Sequence, residues 1–198
     1  MCGICGYISQ NEDPVKVIQE MTDSMYHRGP DDAGTYQHRF RNGRHLALGH
    51  RRLSILDLSD AGHQPMFTQN RELAIVYNGE IYNFKELRKQ LADRGYSFKS
   101  NCDTEVILYL YQEYGKECLE RLNGMFAVGI IDFVQERVIL ARDRMGKKPL
   151  YYYMSDDKKT FVFGSELKPL IKFPEFHKEI RTELISSYLV HKTFTHLR

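Results

Sequence analysis

Short strands at close spacing flank two central helices in this chain, and that order limits the fold more than any single motif does. Apolar stretches at Ile4–Ser9, His45–Ile55, Glu72–Asn78, Met125–Phe133, Arg137–Ala141, Leu150–Met154 and Thr160–Phe163 read as strands. Two helices interrupt them. Asn83–Gly95 is amphipathic and ends at a glycine suited to the C′ position, and Asp103–Tyr114 has Asp103 as a candidate N-cap. An earlier helix is expected over Pro14–Met25, where Val15, Ile18, Met21 and Met25 recur at helical spacing and Pro14 suits the first turn. Strands joined by short turns pair largely antiparallel, with helices covering the outer faces, so the expected fold is a layered α+β domain. No Gly-rich phosphate loop follows any strand, which argues against a nucleotide-binding doubly wound sheet.

Composition removes several classes of function. The 198 residues suffice for one domain with a sizeable core. Net charge is only +2 and the basic residues are scattered, so nothing offers the stripe that a nucleic-acid backbone demands. Apolar runs such as Met125–Ile131 fall well short of the ~20 residues that span a bilayer. Gln10, Asn11, Glu12 and Asp13 interrupt any secretory signal. A cytoplasmic location is therefore expected, with neither membrane nor nucleic acid as partner. The four cysteines, Cys2, Cys5, Cys102 and Cys118, do not form a disulfide framework in such a chain. After Lys172 the character changes. Lys172–Phe176 reads as a linker and Thr182–Leu189 as a short helix, which divides the chain into a domain over 1–175 and a linker with the start of a second domain over 176–198.

The amino terminus carries the first chemical signal, Met1-Cys2-Gly3-Ile4-Cys5-Gly6. Methionine before a small residue is a target for removal, which would leave Cys2 with a free α-amine. Such an amine ordinarily titrates near ~7.7–8.0, close to neutral pH. It can accept the thiol proton and later protonate a leaving group, so one residue supplies nucleophile and base. Gly3 leaves the backbone room to bend towards a substrate. A chance cysteine is the plain alternative. Cys2-x-x-Cys5 also has a redox or zinc spacing, but it precedes the first strand, and Cys102 and Cys118 form no second ligand pair. No metal is expected, and Cys5 reads as a small buried hydrophobe.

A second cluster lies at Tyr77-Asn78-Gly79-Glu80-Ile81-Tyr82-Asn83. Asn-Gly after an apolar strand signals a turn in which the Asn78 amide and the Gly79 N–H can converge on one oxygen, as an oxyanion hole requires. A plain hairpin turn is the alternative. In His50-Arg51-Arg52-Leu53-Ser54-Ile55 the adjacent arginines point to opposite faces of a strand, and one of them can grip a carboxylate in a two-pronged pair. Asp103 and Glu80 are available for an ammonium group, although Asp103 is equally explained as a helix cap.

Together these segments resemble the class II glutamine amidotransferase domain of the N-terminal nucleophile hydrolases, in particular its asparagine synthetase branch. The matching stretches are Met1–Gly6, His27–Asp32, His50–Leu56, Gln64-Pro65, Asn78–Asn83, Cys102–Ile107, Asn123–Ala127 and Ala141–Tyr152, in the family's order. The resemblance implies a four-layer αββα sandwich. It implies Cys2 as nucleophile and Asn78 with Gly79 as oxyanion hole. Arg52 would hold the substrate carboxylate, helped by the backbone of Leu53, Ser54, Ile55 and Leu56, with Glu80 and Asp103 on the substrate ammonium. Arg28-Gly-Pro would lie just behind the catalytic end. The implied activity is hydrolysis of glutamine to glutamate and ammonia, with no cofactor in this chain. The Ser-Gly-Gly-x-Asp-Ser type of ATP-pyrophosphatase loop is absent from it. ATP and Mg²⁺ are accordingly expected in a C-terminal synthetase domain that would amidate aspartate, and a homodimer is compatible with the family. A sugar or secondary-metabolite carboxylate as acceptor, or a non-catalytic glutamine-binding module, are the alternatives.

Overall fold

The computed structural model describes residues 1–10, 15–54, 59–179 and 182–191; Pro14, Ile55 and Leu56, which figured in the expectations above, lie outside these. Nine strands form two sheets among the described residues. One has the order β2 (Asp32–Arg39), β3 (His45–Arg52), β1 (Gly3–Ser9), β9 (Phe161–Gly164), β8 (Tyr151–Met154). The other runs β4 (Met66–Phe67), β5 (Leu73–Ile81), β6 (Gly124–Asp132), β7 (Arg137–Arg142). Every pairing is antiparallel.

The period-two alternation of side chains sorts these strands into layers. Ile4, Leu46, Leu48, Ala74, Val76, Ala127, Ile131 and Phe163 meet between the sheets. Their strand neighbours Cys5, Tyr7 and Ala47 face outward onto α1 (Val15–Asp23) and α4 (Leu167–Lys172), packing with Val17, Ile18, Met21 and Leu170. On the opposite side Ile75, Tyr77, Ile81 and Val128 pack against α2 (Phe84–Ala92) and α3 (Asp103–Tyr114). The result is a helix–sheet–sheet–helix sandwich, as the resemblance implied. Each fully buried aliphatic side chain contributes about 1.5–3 kcal/mol by leaving water. α3 is buried all along Asp103–Tyr111, because the sheet, α2 and the 3₁₀ turn at Gly115–Arg121 surround it.

Most expected elements are present with ends shifted by a few residues. β2 escaped the sequence reading because it is an edge strand of mixed, largely polar composition. The residues expected to begin a linker instead extend the core: Phe173 is only 2% exposed and packs on Tyr7 with ring centroids 5.0 Å apart and planes tilted by 53°. Beyond it lie a 3₁₀ turn at Thr182–Leu184 and α5 (Ile185–His191).

One difference bears directly on chemistry. Asn78-Gly79 was expected to turn the chain, yet β5 continues through it to Ile81, with Asn78 opposite Ala127 and Gly79 opposite Phe126. Glycine is needed at 79 for closeness, since a Cβ there would stand 2.4 Å from the Met125 carbonyl oxygen. Non-local pairing with β6 overrides the local turn preference of Asn-Gly.

Candidate active site

The positions that carry apolar side chains between the sheets carry polar ones at one end of the sandwich. On β3, Leu46 and Leu48 give way to His50 and Arg52; on β5, Ala74 and Val76 give way to Asn78; Cys2 precedes Ile4 by two residues. Strand parity therefore aims Cys2, Arg52 and Asn78 into the same inter-sheet space. They line a cleft of about 160 Å³ together with Met1, Leu53, Gly62, Gln64, Tyr77, Gly79, Glu80, Cys102, Asp103, Thr104 and Lys148.

The half-buried Cys2 thiol lies against the chain where β3 ends. Its Sγ is 3.4 Å from the Leu53 N–H nitrogen, which donates to it, and 3.7 Å from the Leu53 carbonyl oxygen. The Cys2 carbonyl accepts from Arg28 Nε at 2.9 Å, and Arg28 Nη1 donates to Glu166 at 2.9 Å. His27 Nε2 meets the same carboxylate oxygen at 3.0 Å. Burial opposes ionisation of Glu166, but Arg28 and His27 outweigh it and hold its carboxyl below the usual range. Arg28, expected just behind the catalytic end, thus holds the Cys2 backbone in place.

Asn78 is 1% exposed, and its Nδ2 has no hydrogen-bond partner. An unsatisfied buried amide costs about 1–3 kcal/mol, and such costs are retained where a ligand or transition state supplies the missing acceptor. Arg52 and Arg51 separate as period two requires. Arg51 turns to α1, where it pairs with Asp23 and donates to the Thr22 carbonyl at 3.3 Å. Arg52 is 8% exposed in the cleft, with Nη1 donating to the Ser59 carbonyl at 2.9 Å. Gly62 leaves room for it, because a Cβ there would stand 2.0 Å from Arg52 Nη2.

Asp103 is the first residue of α3, and the N-cap residue Cys102 makes no side-chain cap bond. The Asp103 Oδ2 accepts from the Tyr77 hydroxyl at 2.7 Å and the Ile81 N–H at 2.9 Å, and its carboxylate also draws on the Asp103 and Thr104 N–H groups at the helix start. Burial pushes its carboxyl above the usual range, against the opposing pull of these donors. Burial, reinforced by Asp103, also raises the Tyr77 phenol well above its ordinary value, so it stays protonated and donates. Under the cleft, His50 Nε2 donates to the Tyr77 carbonyl at 3.1 Å and ties the two sheets together. Its complete burial lowers it to about 4, against the pull of that bond, so the ring is neutral.

Of the residues singled out in the sequence, the cleft gathers Cys2, Arg52, Leu53, Asn78, Gly79, Glu80 and Asp103. Ser54 is not among its lining, and its N–H is taken by Asp31 at 2.8 Å. Sequence reasoning did not single out Gln64 or Lys148. Gln64 Oε1 accepts from the Tyr77 N–H at 2.7 Å, and its Nε2 reaches Thr104 Oγ1 at 3.4 Å, so it braces β5 against α3. Both residues fall inside quoted motifs, which was the available signal. Among the described residues no group of three His, Cys, Asp or Glu side chains is placed to hold a metal, and no helix is long and apolar enough to cross a membrane.

A family model for the glutamine amidotransferase domain matches residues 1–197. The chain belongs to that family. This glutamine amidotransferase domain is 36% identical over 185 residues to asparagine synthetase [glutamine-hydrolyzing] 3 of Bacillus subtilis, an alignment covering 91% of the chain and 29% of the relative. It is 39% identical over 174 residues to asparagine synthetase B [glutamine-hydrolyzing] of Escherichia coli, covering 86% of the chain and 30% of the relative. The chain therefore spans about a third or less of the length of these relatives. Among solved structures, glutamine phosphoribosylpyrophosphate amidotransferase of B. subtilis, complexed with ADP and GMP, superposes with a TM-score of 0.70 at 27% identity, over 86% of this chain and 43% of that one.

Proposed function

We propose that this glutamine amidotransferase domain hydrolyses glutamine to glutamate and ammonia, with Cys2 as nucleophile once Met1 has been removed. The observation that carries the reading is the convergence, in one cleft, of the Cys2 sulfur, the unpartnered Asn78 amide, the Arg52 guanidinium and the Asp103 carboxylate. Arg52 would take the α-carboxylate of glutamine, and Asp103 with Glu80 its α-ammonium. The thiol proton passes to the Cys2 α-amine as Sγ bonds to the amide carbon. Asn78 Nδ2 and the Gly79 N–H stabilise the oxyanion that forms. The C–N bond then breaks, and the amine returns its proton to the departing ammonia. Water attacks the thioester, giving its proton to the amine, and glutamate leaves with the thiol restored.

In the longer protein that this family implies, ammonia would serve ATP- and Mg²⁺-dependent amidation in a C-terminal synthetase domain, with aspartate as acceptor and the cytoplasm as location. A boundary near residue 175 would separate the two. Glutamate release by the chain, together with labelling of Cys2 by a glutamine-analogue electrophile, tests the core of this reading. Release that is unchanged in Cys2→Ala would end it.

A second reading applies to a chain that keeps Met1. The Met1 side chain lines the cleft, with its Sδ 3.5 Å from Lys148 Nζ. A chain that kept Met1 would have no α-amine on Cys2 and could bind glutamine without turning it over. Intact mass at the amino terminus, set beside turnover, separates the two.

A further inference from the structure

Lys148 is 7% exposed, and among the described residues its ammonium has no carboxylate partner; its one polar contact is the Met1 thioether at 3.5 Å. The other buried cations of this region are engaged: Arg28 with Glu166 and the Cys2 carbonyl, Arg52 with the Ser59 carbonyl. A buried charge without a counter-charge is costly, and proteins retain one where a reaction uses it.

The loop that carries Lys148 is built for accuracy. The Asp143 carboxylate accepts from the N–H groups of Lys147 at 2.9 Å, Lys148 at 3.0 Å and Phe126 at 3.2 Å. Burial opposes ionisation of Asp143, but these N–H groups outweigh it and hold the carboxyl below its usual range. The Asp143 N–H in turn donates to the Phe126 carbonyl at 2.8 Å, and Phe126 lies opposite Gly79 in the β5–β6 register. From the other side Arg142 Nε donates to the Lys148 carbonyl at 2.7 Å. Both backbone groups of Lys148 are thereby pinned to the strand beside Gly79, and its ammonium shares the cleft with Cys2. Removal of Met1 takes away the thioether and leaves the ammonium without that contact, in the cleft that Cys2 also lines.

We propose that Lys148 is a positioning residue for the nucleophile, its ammonium stabilising the negative charge that develops on the Cys2 sulfur during attack. The inference rests on the glutaminase reading above. A neighbouring cation stabilises an anionic sulfur. The other titratable or charged groups lining the cleft are Arg52 of β3, Tyr77 and Glu80 of β5, Cys102 before α3, and Asp103 of α3. Asp103 is already held by Tyr77 and Ile81, and Arg52 by Ser59, which leaves Lys148 and Glu80 as the uncommitted charges.

The test uses chain whose processed terminus is verified by mass, as the parent, Lys148→Met and Lys148→Arg. Alkylation of Cys2 by iodoacetamide, counted on the Cys2 peptide, is followed from pH 5 to 10 without glutamine, beside kcat and KM for glutamine. In Lys148→Met the pH of half-maximal labelling should rise by ~1 unit and kcat near pH 7 should fall about tenfold, with KM nearly unchanged. Lys148→Arg should restore both. A labelling profile in Lys148→Met that overlays the parent's overturns the proposal, as does a rise confined to KM. A parent that is labelled with the expected shift but releases no glutamate would sink the glutaminase reading and leave this one standing.

Discussion

The space between the two sheets has an apolar middle and a polar end, built from the same strands at the same parity. In the middle, Ile4, Leu48, Val76 and Phe163 are fully buried and ask only for shape. At the end, Cys2, His50, Arg52 and Asn78 occupy positions that geometry assigns to the core, but with donors and charges. The middle lowers the free energy of folding, whereas the end is left with an unpaired Asn78 amide, an unpaired His50 Nδ1 and an unpaired Arg28 Nη2. The site is the core register continued past the point where apolar residues stop. Stability and chemistry are therefore separable by substitution along one strand.

The largest separation should come at the sulfur positions. Cys2→Ala should lower glutamate release by about 10⁴-fold or more with little change in melting temperature. Cys5 is fully buried, and that burial pushes its thiol up to about 12, so Cys5→Ala should cost stability and leave turnover per folded molecule intact. Asn78→Ala comes next, with kcat down about 10²–10³-fold and stability unchanged or higher, since it deletes an unsatisfied donor. Activity lost in proportion to stability would erase the distinction between middle and end. Leu48→Ala, two residues from His50, should show the opposite pattern in a denaturant titration: about 3 kcal/mol of stability lost, with kcat per folded molecule preserved.

The smallest effect is a pH dependence of folding that originates at His50. Its folded value of about 4 lies below the unfolded ~6.5, so the unfolded chain binds the extra proton between them. Stability is fully present above about 6.5 and declines as pH falls towards 4, by roughly 2 kcal/mol at pH 5. His50→Gln should flatten that slope in urea titrations at pH 5 and 7. An unaltered slope would show that the acid sensitivity arises elsewhere.

The layers and much of the cleft were legible because they follow from local periodicity. Period two separated Arg51 from Arg52 before any contact was known, and the Asp103–Tyr114 helix has the bounds its sequence suggested. What could not be read was set by partners distant in sequence. Asn78-Gly79 carries a turn signature, and only pairing with Ala127 and Phe126 makes it a strand. Asp103 has the helix-start contacts that its sequence suggests, and the Tyr77 hydroxyl, 26 positions away, adds a second role. For Asn78-Gly79 the local preference was real but weaker than a tertiary contact.

The strand that follows Cys2 is central in its sheet, between β3 and β9, and Cys5 lies opposite Gly164. Ser165 closes the same edge, donating its N–H to the Ile4 carbonyl at 2.8 Å. During synthesis β1 must therefore wait for β9, far downstream in sequence, before it gains its second neighbour. Contacts of such long sequence separation form slowly. That sheet is therefore completed late, and its central strand stays one-sided until β9 arrives.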